Sequence, residues 1–248
     1  MSAIQRAAAI VSVALIAMAA GGPVASQTKA RDDIERQAFD IRDRFMAAVK
    51  ACGVVPTFRP GVVVKTHPGV VAYFKEDQSA HLSRWADMPP PVKDMIEAWA
   101  ANGSLGLNGE AQFAEIFNSL LLPHELGHYL QDMSGRWNGM DRWESEVEAN
   151  RIAIAFWSLD PAEAVRLPGR IENFTGFLEK LPSPVPKGML ARDYFNANYE
   201  KLGNNAEAYG WYQGAFMRTA WNERAQTEFC KLARLNSPAR RKPKIDKT

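Results

Sequence analysis

Between residues 28 and 50 the apolar side chains Ile34, Ile41, Phe45 and Val49 return at helical spacing among many charges, and Gly53 closes the segment. This pattern predicts an amphipathic surface helix. Residues 62–66 and 70–74 are β-branched or aromatic runs on either side of His67, Pro68 and Gly69, the composition of a β-hairpin. After Pro89, Pro90 and Pro91, residues 92–101 read as a helix and residues 102–109 as a glycine-rich loop. Asp141, with Glu144 at capping-box spacing, opens a helix that runs to Trp157. Further helices are predicted over 161–165 behind the N-cap Asp160, over 170–181, over 189–202 up to Gly203, and over 205–235. Pro182, Pro184 and Pro186 make a stiff connector between two of them. The pattern predicts an α+β fold, mainly helical, with a small antiparallel sheet in the N-terminal half and a helical C-terminal half.

Composition narrows this to one domain. A chain of 248 residues that is 46% hydrophobic and 23% charged has apolar material for a single substantial core, which excludes collagen-like, disordered and multi-span membrane classes. The first 26 residues differ in kind. Arg6 is followed by an apolar run over residues 7–20, then Gly21, Gly22 and Pro23, with Val24 and Ser26 at the small-residue positions before a cleavage point. The run is shorter than the roughly 20 residues that cross a bilayer, so residues 1–26 read as a secretory signal and the mature chain is expected to start near Gln27. An uncleaved anchor is the alternative. The expected organisation is therefore a signal over 1–26, one domain over 27–235 with no transmembrane span, and a tail over 236–248, in a periplasmic or secreted protein.

Net charge changes sign when it is divided this way. Loss of Arg6 takes the chain from +2 to +1, and the tail, with Arg240, Arg241, Lys242, Lys244 and Lys247 against Asp246, carries +4. The body is left near −3. A basic tail broken by prolines is a solvated end or a weak attachment to anionic surfaces, and no nucleic-acid role is expected. The two cysteines, Cys52 and Cys230, can pair in an oxidising compartment or be buried separately as thiols; the sequence leaves both open.

The chemistry lies in LLPHELGHYLQD, which holds His124, Glu125 and His128 in a His-Glu-x-x-His arrangement. Positions four apart on a helix lie on one face, so both imidazoles can bind one ion while Glu125 sits beside them without being a ligand. Zinc held by neutral nitrogens brings a water pKa toward neutrality, and a neighbouring carboxylate can take and return the proton. The plain alternative is a polar surface stripe, which the flanking Leu121, Leu122, Leu126 and Leu130 oppose. Pro123 should kink this helix or begin it anew.

A third ligand is required. Glu146 shares its helix face with Ala149, Asn150, Ala153 and Trp157, where small residues permit close approach. Glu148 shares a face with Glu144 and precedes Arg151 by three, the pattern of a solvated ion pair. Glu146 is the better ligand, and Asn150, one turn on, is placed to accept from the free ring nitrogen of a zinc-bound histidine. His67 and His81 are weaker third ligands. For an oxyanion donor the candidate is Tyr212 in AYGWYQGAF, against the alternative of a core tyrosine. Gly210 and Gly214 predict close packing of that helix on a neighbour, taken to be the catalytic one.

The stretch HELGHYLQ, followed after a turn by ESEVEANRIAIAF, resembles the gluzincin type of zinc metallopeptidase, in which a helical HExxH is completed by a glutamate from a second helix. It is especially similar to small bacterial metallopeptidases whose second motif reads Glu-x-x-Ala-Asn/Asp, matched by Glu146, Ala149 and Asn150. The resemblance covers residues 111–156. It implies a catalytic helix beneath a short sheet whose edge strand, residues 70–74, lines a substrate cleft. The leading expectation is an enzyme that hydrolyses peptide bonds, with a peptide or protein substrate in envelope proteins or peptidoglycan cross-links. Metzincins fit poorly, because Gln131 and Ser134 stand where their glycine and third histidine would be. The competing functional class is a secreted binding module with a structural or vestigial zinc.

Overall fold

A computed structural model of the chain describes residues 32–238, so the expected signal segment, its cleavage point and most of the basic tail lie outside the described residues. Helix α1 (Asp33–Ala51) is capped by Asp32, whose carboxylate accepts from Glu35 N at 3.0 Å, and it buries Ala38, Ile41, Phe45 and Val49 along one face. Its last turn leads to Cys52, which is joined to Cys230.

The sheet has three strands, β1 (Gly61–Val64), β2 (Val71–Phe74) and β3 (Ser79–Leu82), in the order β1-β3-β2. This corrects the expected hairpin. β1 and β2 are not neighbours: β2 turns back antiparallel onto β3, and β1 lies parallel along the other side of β3. The sheet is mixed rather than antiparallel. The central strand, Ser-Ala-His-Leu, is buried at all four positions, so it has neither the alternation nor the β-branched content that would mark it. It leaves β2 as an edge, with Val70 entering it at φ 65°.

After α2 (Pro90–Asn102) and the short α3 (Gly109–Phe113), the backbone widens to a π-helical stretch, Ala114–Leu120, and then restarts as α4 (Leu122–Met133) with Pro123 in its first turn. Proline is harmless there because the first-turn N–H has no intrahelical partner to lose. α5 (Arg142–Trp157) follows, capped by Asp141 to Glu144 N at 3.1 Å.

The remaining helices are α6 (Pro161–Leu178), α7 (Ala191–Gly203), α8 (Ala206–Asn222) and α9 (Phe229–Leu235). α6 continues through Pro168, where a break was expected. Leu167 and Ile171 are buried on either side, and the buried Arg170 is tied to Glu115 and Glu163. Conversely, the single helix expected over 205–235 is two. The break lets Phe229 of α9 fold back onto Phe45 and Phe156, at ring distances of 5.5 and 6.1 Å. Gly210 and Gly214 do mark a close approach, but to the end of α6 and the residues just after it: a Cβ at Gly214 would lie 2.9 Å from Leu178 Cβ and one at Gly210 3.1 Å from Leu181. The fold is α+β and mainly helical, and among the described residues no helix is long and apolar enough to cross a membrane.

Candidate metal centre

Helices α4 and α5 touch backbone to backbone. A Cβ placed on Gly127 would stand 2.9 Å from Ala149 Cα, a separation that only glycine allows. This contact lies in the middle of the HExxH turn, so His124 and His128 on α4 face Glu146 on α5. His124 Nε2 lies 3.2 Å from His128 Nε2 and 3.4 Å from Glu146 Oε2, and His128 Nε2 lies 3.8 Å from that same oxygen. Donors bound at about 2.1 Å in tetrahedral geometry stand about 3.4 Å apart, so the spacing suits such an ion. Among the described residues this is the one group of three such side chains able to hold a metal ion.

Glu125 points elsewhere, as expected of a neighbour that is not a ligand. Its Oε2 accepts the Tyr73 backbone N–H at 2.7 Å, and its Oε1 stands 4.0 Å from His124 Nε2. Tyr73 lies in β2, so the free edge of the sheet meets the site through this bond. All four side chains are only 4–6% exposed.

Burial disfavours charge on His128, but contact with Glu146 outweighs it and raises the imidazole to about 9. Burial likewise opposes a charged Glu146, yet both histidines hold its carboxyl well below the usual range. The residues alone thus favour a proton on the His128 side of the pair, the place a bound cation would take.

Several neighbours were not evident from the sequence. Gln131 Oε1 receives the His128 Nδ1 proton at 2.9 Å, and Trp137 stacks on the His128 ring at 5.3 Å, 12° from parallel. From α8, Tyr209 Oη donates to Glu146 Oε1 at 3.2 Å and Gln213 Nε2 to Oε2 at 3.1 Å. Burial and the charge of Glu146 push the Tyr209 phenol well above its ordinary range, which keeps the hydroxyl a donor. The available signals were the three-residue step from His128 to Gln131 and the four-residue step from Tyr209 to Gln213, each a single helix face.

Other expectations are corrected. Tyr212 is fully buried in a separate aromatic cluster with Trp143, Phe195 and Phe216, and its hydroxyl makes no hydrogen bond; α8 turns Tyr209 to the site instead. Asn150 is buried beside its expected place, but its Nδ2 bonds the Glu146 carbonyl at 3.1 Å. Neither its Oδ1 nor His124 Nδ1 finds a protein partner, so the foreseen bond to a histidine ring is not made. Glu148 is not a solvated partner of Arg151: it is 3% exposed and paired with Arg136 at 2.8 Å, while Arg151 bonds Glu144 and Glu223. His67 and His81 are not members of the group of three, His81 being bonded to Asp77 at 2.7 Å.

No family model matches the chain, and no curated protein or solved structure is significantly similar to it.

Proposed function

We propose that the chain is an exported zinc-dependent peptidase, with His124, His128 and Glu146 as ligands and Glu125 as general base. The observation that carries this reading is a buried set of three donors with a carboxylate beside it but outside it. A structural zinc takes four protein ligands, whereas a catalytic one takes three and keeps a position open. Among the described residues no fourth side chain joins the group, which weighs against the rival reading of a structural site. The resemblance of HELGHYLQ and ESEVEANRIAIAF to gluzincins supports the same assignment.

When bound, zinc supplies a Lewis acid that polarises a scissile carbonyl and acidifies water. The chain's own residues do the rest. Glu125, fixed through Oε2 by the Tyr73 N–H, keeps Oε1 to accept a proton and return it to the leaving amine. Tyr209, whose one hydroxyl proton goes to Glu146 Oε1 at 3.2 Å, takes the oxyanion-donor role first expected of Tyr212 by turning that proton from the carboxylate to the oxyanion as charge develops there. β2, as a sheet edge, offers a peptide a backbone to pair with beside Glu125. The substrate class is peptide bonds of envelope proteins or peptidoglycan cross-links. Export is supported by the Cys52–Cys230 disulfide, which persists in oxidising compartments.

The test is Glu125→Gln. This variant should load zinc as the wild type does and fold normally, while hydrolysis of a peptide library falls by roughly a hundredfold or more. Equal cleavage by the two zinc-loaded proteins would remove Glu125 from the chemistry and the reading with it.

A further inference from the structure

Behind His128 runs a chain of buried polar groups that the proposed reaction does not use, and it ends on the C-terminal helix. Gln131 Nε2 faces two groups that can only accept, the Ser145 carbonyl at 2.9 Å and Glu148 Oε1 at 3.4 Å. That fixes which way the amide is turned. Its oxygen is left for the Ser145 hydroxyl at 2.8 Å and for His128 Nδ1 at 2.9 Å. A histidine that donates from Nδ1 presents Nε2 as its coordinating nitrogen, and Nε2 is the atom turned toward His124 and Glu146.

Glu148 is in turn held from two sides. Arg136, in the loop after α4, grips it with both nitrogens, at 2.8 and 3.1 Å. Asn236, directly after α9, donates from Nδ2 to Glu148 Oε1 at 2.9 Å, and its Oδ1 accepts from Arg136 Nη1 at 2.7 Å. Asn236 is fully buried. Its orientation is also fixed, because Nδ2 bonds the Leu232 carbonyl as well, at 3.1 Å. Every bond in this ring pairs a donor with an acceptor: donation runs from His128 through Gln131 to Glu148 on one side and from Asn236 and Arg136 to Glu148 on the other, so the carboxylate is the common acceptor that joins the two.

We infer that Asn236 is a positioning residue for the metal centre: through Glu148 and Gln131 it sets the ring of His128, so the C-terminal helix belongs to the site although it supplies no ligand. A buried ion pair alone would not require this. Such a pair is often replaceable by apolar residues without loss of stability, and one serving only the fold has no reason to end at the unligated nitrogen of a histidine. The inference rests on the metal-binding part of the proposed function and not on peptidase activity.

The experiment uses the full mature protein with its disulfide intact, stripped of metal, titrated with Zn2+ against a chromophoric chelator, and separately loaded with Co2+ for its visible spectrum. Asn236→Ala should weaken zinc binding by about tenfold and shift the cobalt bands, as loss of a partner behind a ligating histidine does. Gln131→Met reads the same chain from its other end and should do so at least as strongly; it also serves if Asn236→Ala does not fold. Arg234→Ala is the control. It removes the bond from Arg234 Nε to the Cys52 carbonyl at 2.9 Å, loosening the same helix without touching Glu148, and should lower Tm while leaving zinc affinity and the cobalt spectrum unchanged. Wild-type affinity and spectrum in a folded Asn236→Ala, or in Gln131→Met, would overturn the inference and leave the metal site standing. So would an equal loss of affinity in Arg234→Ala. A wild-type protein that binds no zinc would overturn the metal site and the inference together.

Discussion

Glu146 receives a hydrogen bond on each carboxylate oxygen, from Tyr209 and from Gln213, so its rotation is restricted before any ion arrives. Each of the three proposed ligands is then expected to be necessary. His124→Ala, His128→Ala and Glu146→Ala should all abolish stoichiometric zinc binding, measured by metal analysis after dialysis, because two donors do not hold the ion tightly. The two tyrosines of α8 separate by function. Tyr209→Phe should retain zinc but lower kcat by about a hundredfold, the scale on which an oxyanion donor contributes, whereas Tyr212→Phe should leave kcat unchanged. The opposite result would return the role to Tyr212. The choice could not be made from sequence: tyrosines three apart share one broad helix face, and only the seating of α8 on α5 decides which one meets Glu146.

At the scale of elements, the site depends on how closely α4 and α5 approach. Gly127→Val would drive a branched side chain into the Ala149 backbone, 2.9 Å from where its Cβ would sit. Overpacking of this kind costs about 1–3 kcal/mol, and the forced separation moves Glu146 from the histidines. Chemical denaturation should show the lost stability and chelator competition the lost affinity; a variant of unchanged zinc affinity would mean that the contact does not set the site. Small residues on the Glu146 face pointed to this approach, since helical period alone places Ala149 on that face. The sheet was less legible. β1 and β2 carry strong local signals, but their common neighbour β3 does not, and strand order depends on that buried third strand.

Across the whole molecule, the Cys52–Cys230 bond joins the end of α1 to α9 over a separation of 178 residues. A closed loop of this length restricts the unfolded chain heavily. Replacing both cysteines by serine should cost about 2–5 kcal/mol, read as a fall in the denaturant midpoint. No change in the midpoint would mean that the aromatic contacts of Phe229 with Phe45 and Phe156 hold α9 in place by themselves.

What could be read without a structure was whatever repeats within one helix or one short run. The shared face of His124 and His128, the place of Glu125 beside them, the turn of Glu146 toward them on the small-residue face of its helix and the mainly helical α+β class follow from a 3.6-residue period and from side-chain chemistry, whereas the ground for setting Glu148 aside, a solvated pair with Arg151, does not hold. Partners from distant segments could not be read in this way. The tertiary fold alone decided that Arg136 and Asn236 close on Glu148, that Tyr73 N–H holds Glu125, and that the cysteines pair. Each of those contacts joins residues from separate elements. Their meeting depends on how helices and strands pack, through buried volume and the pairing of every buried polar group, and no local periodicity encodes it.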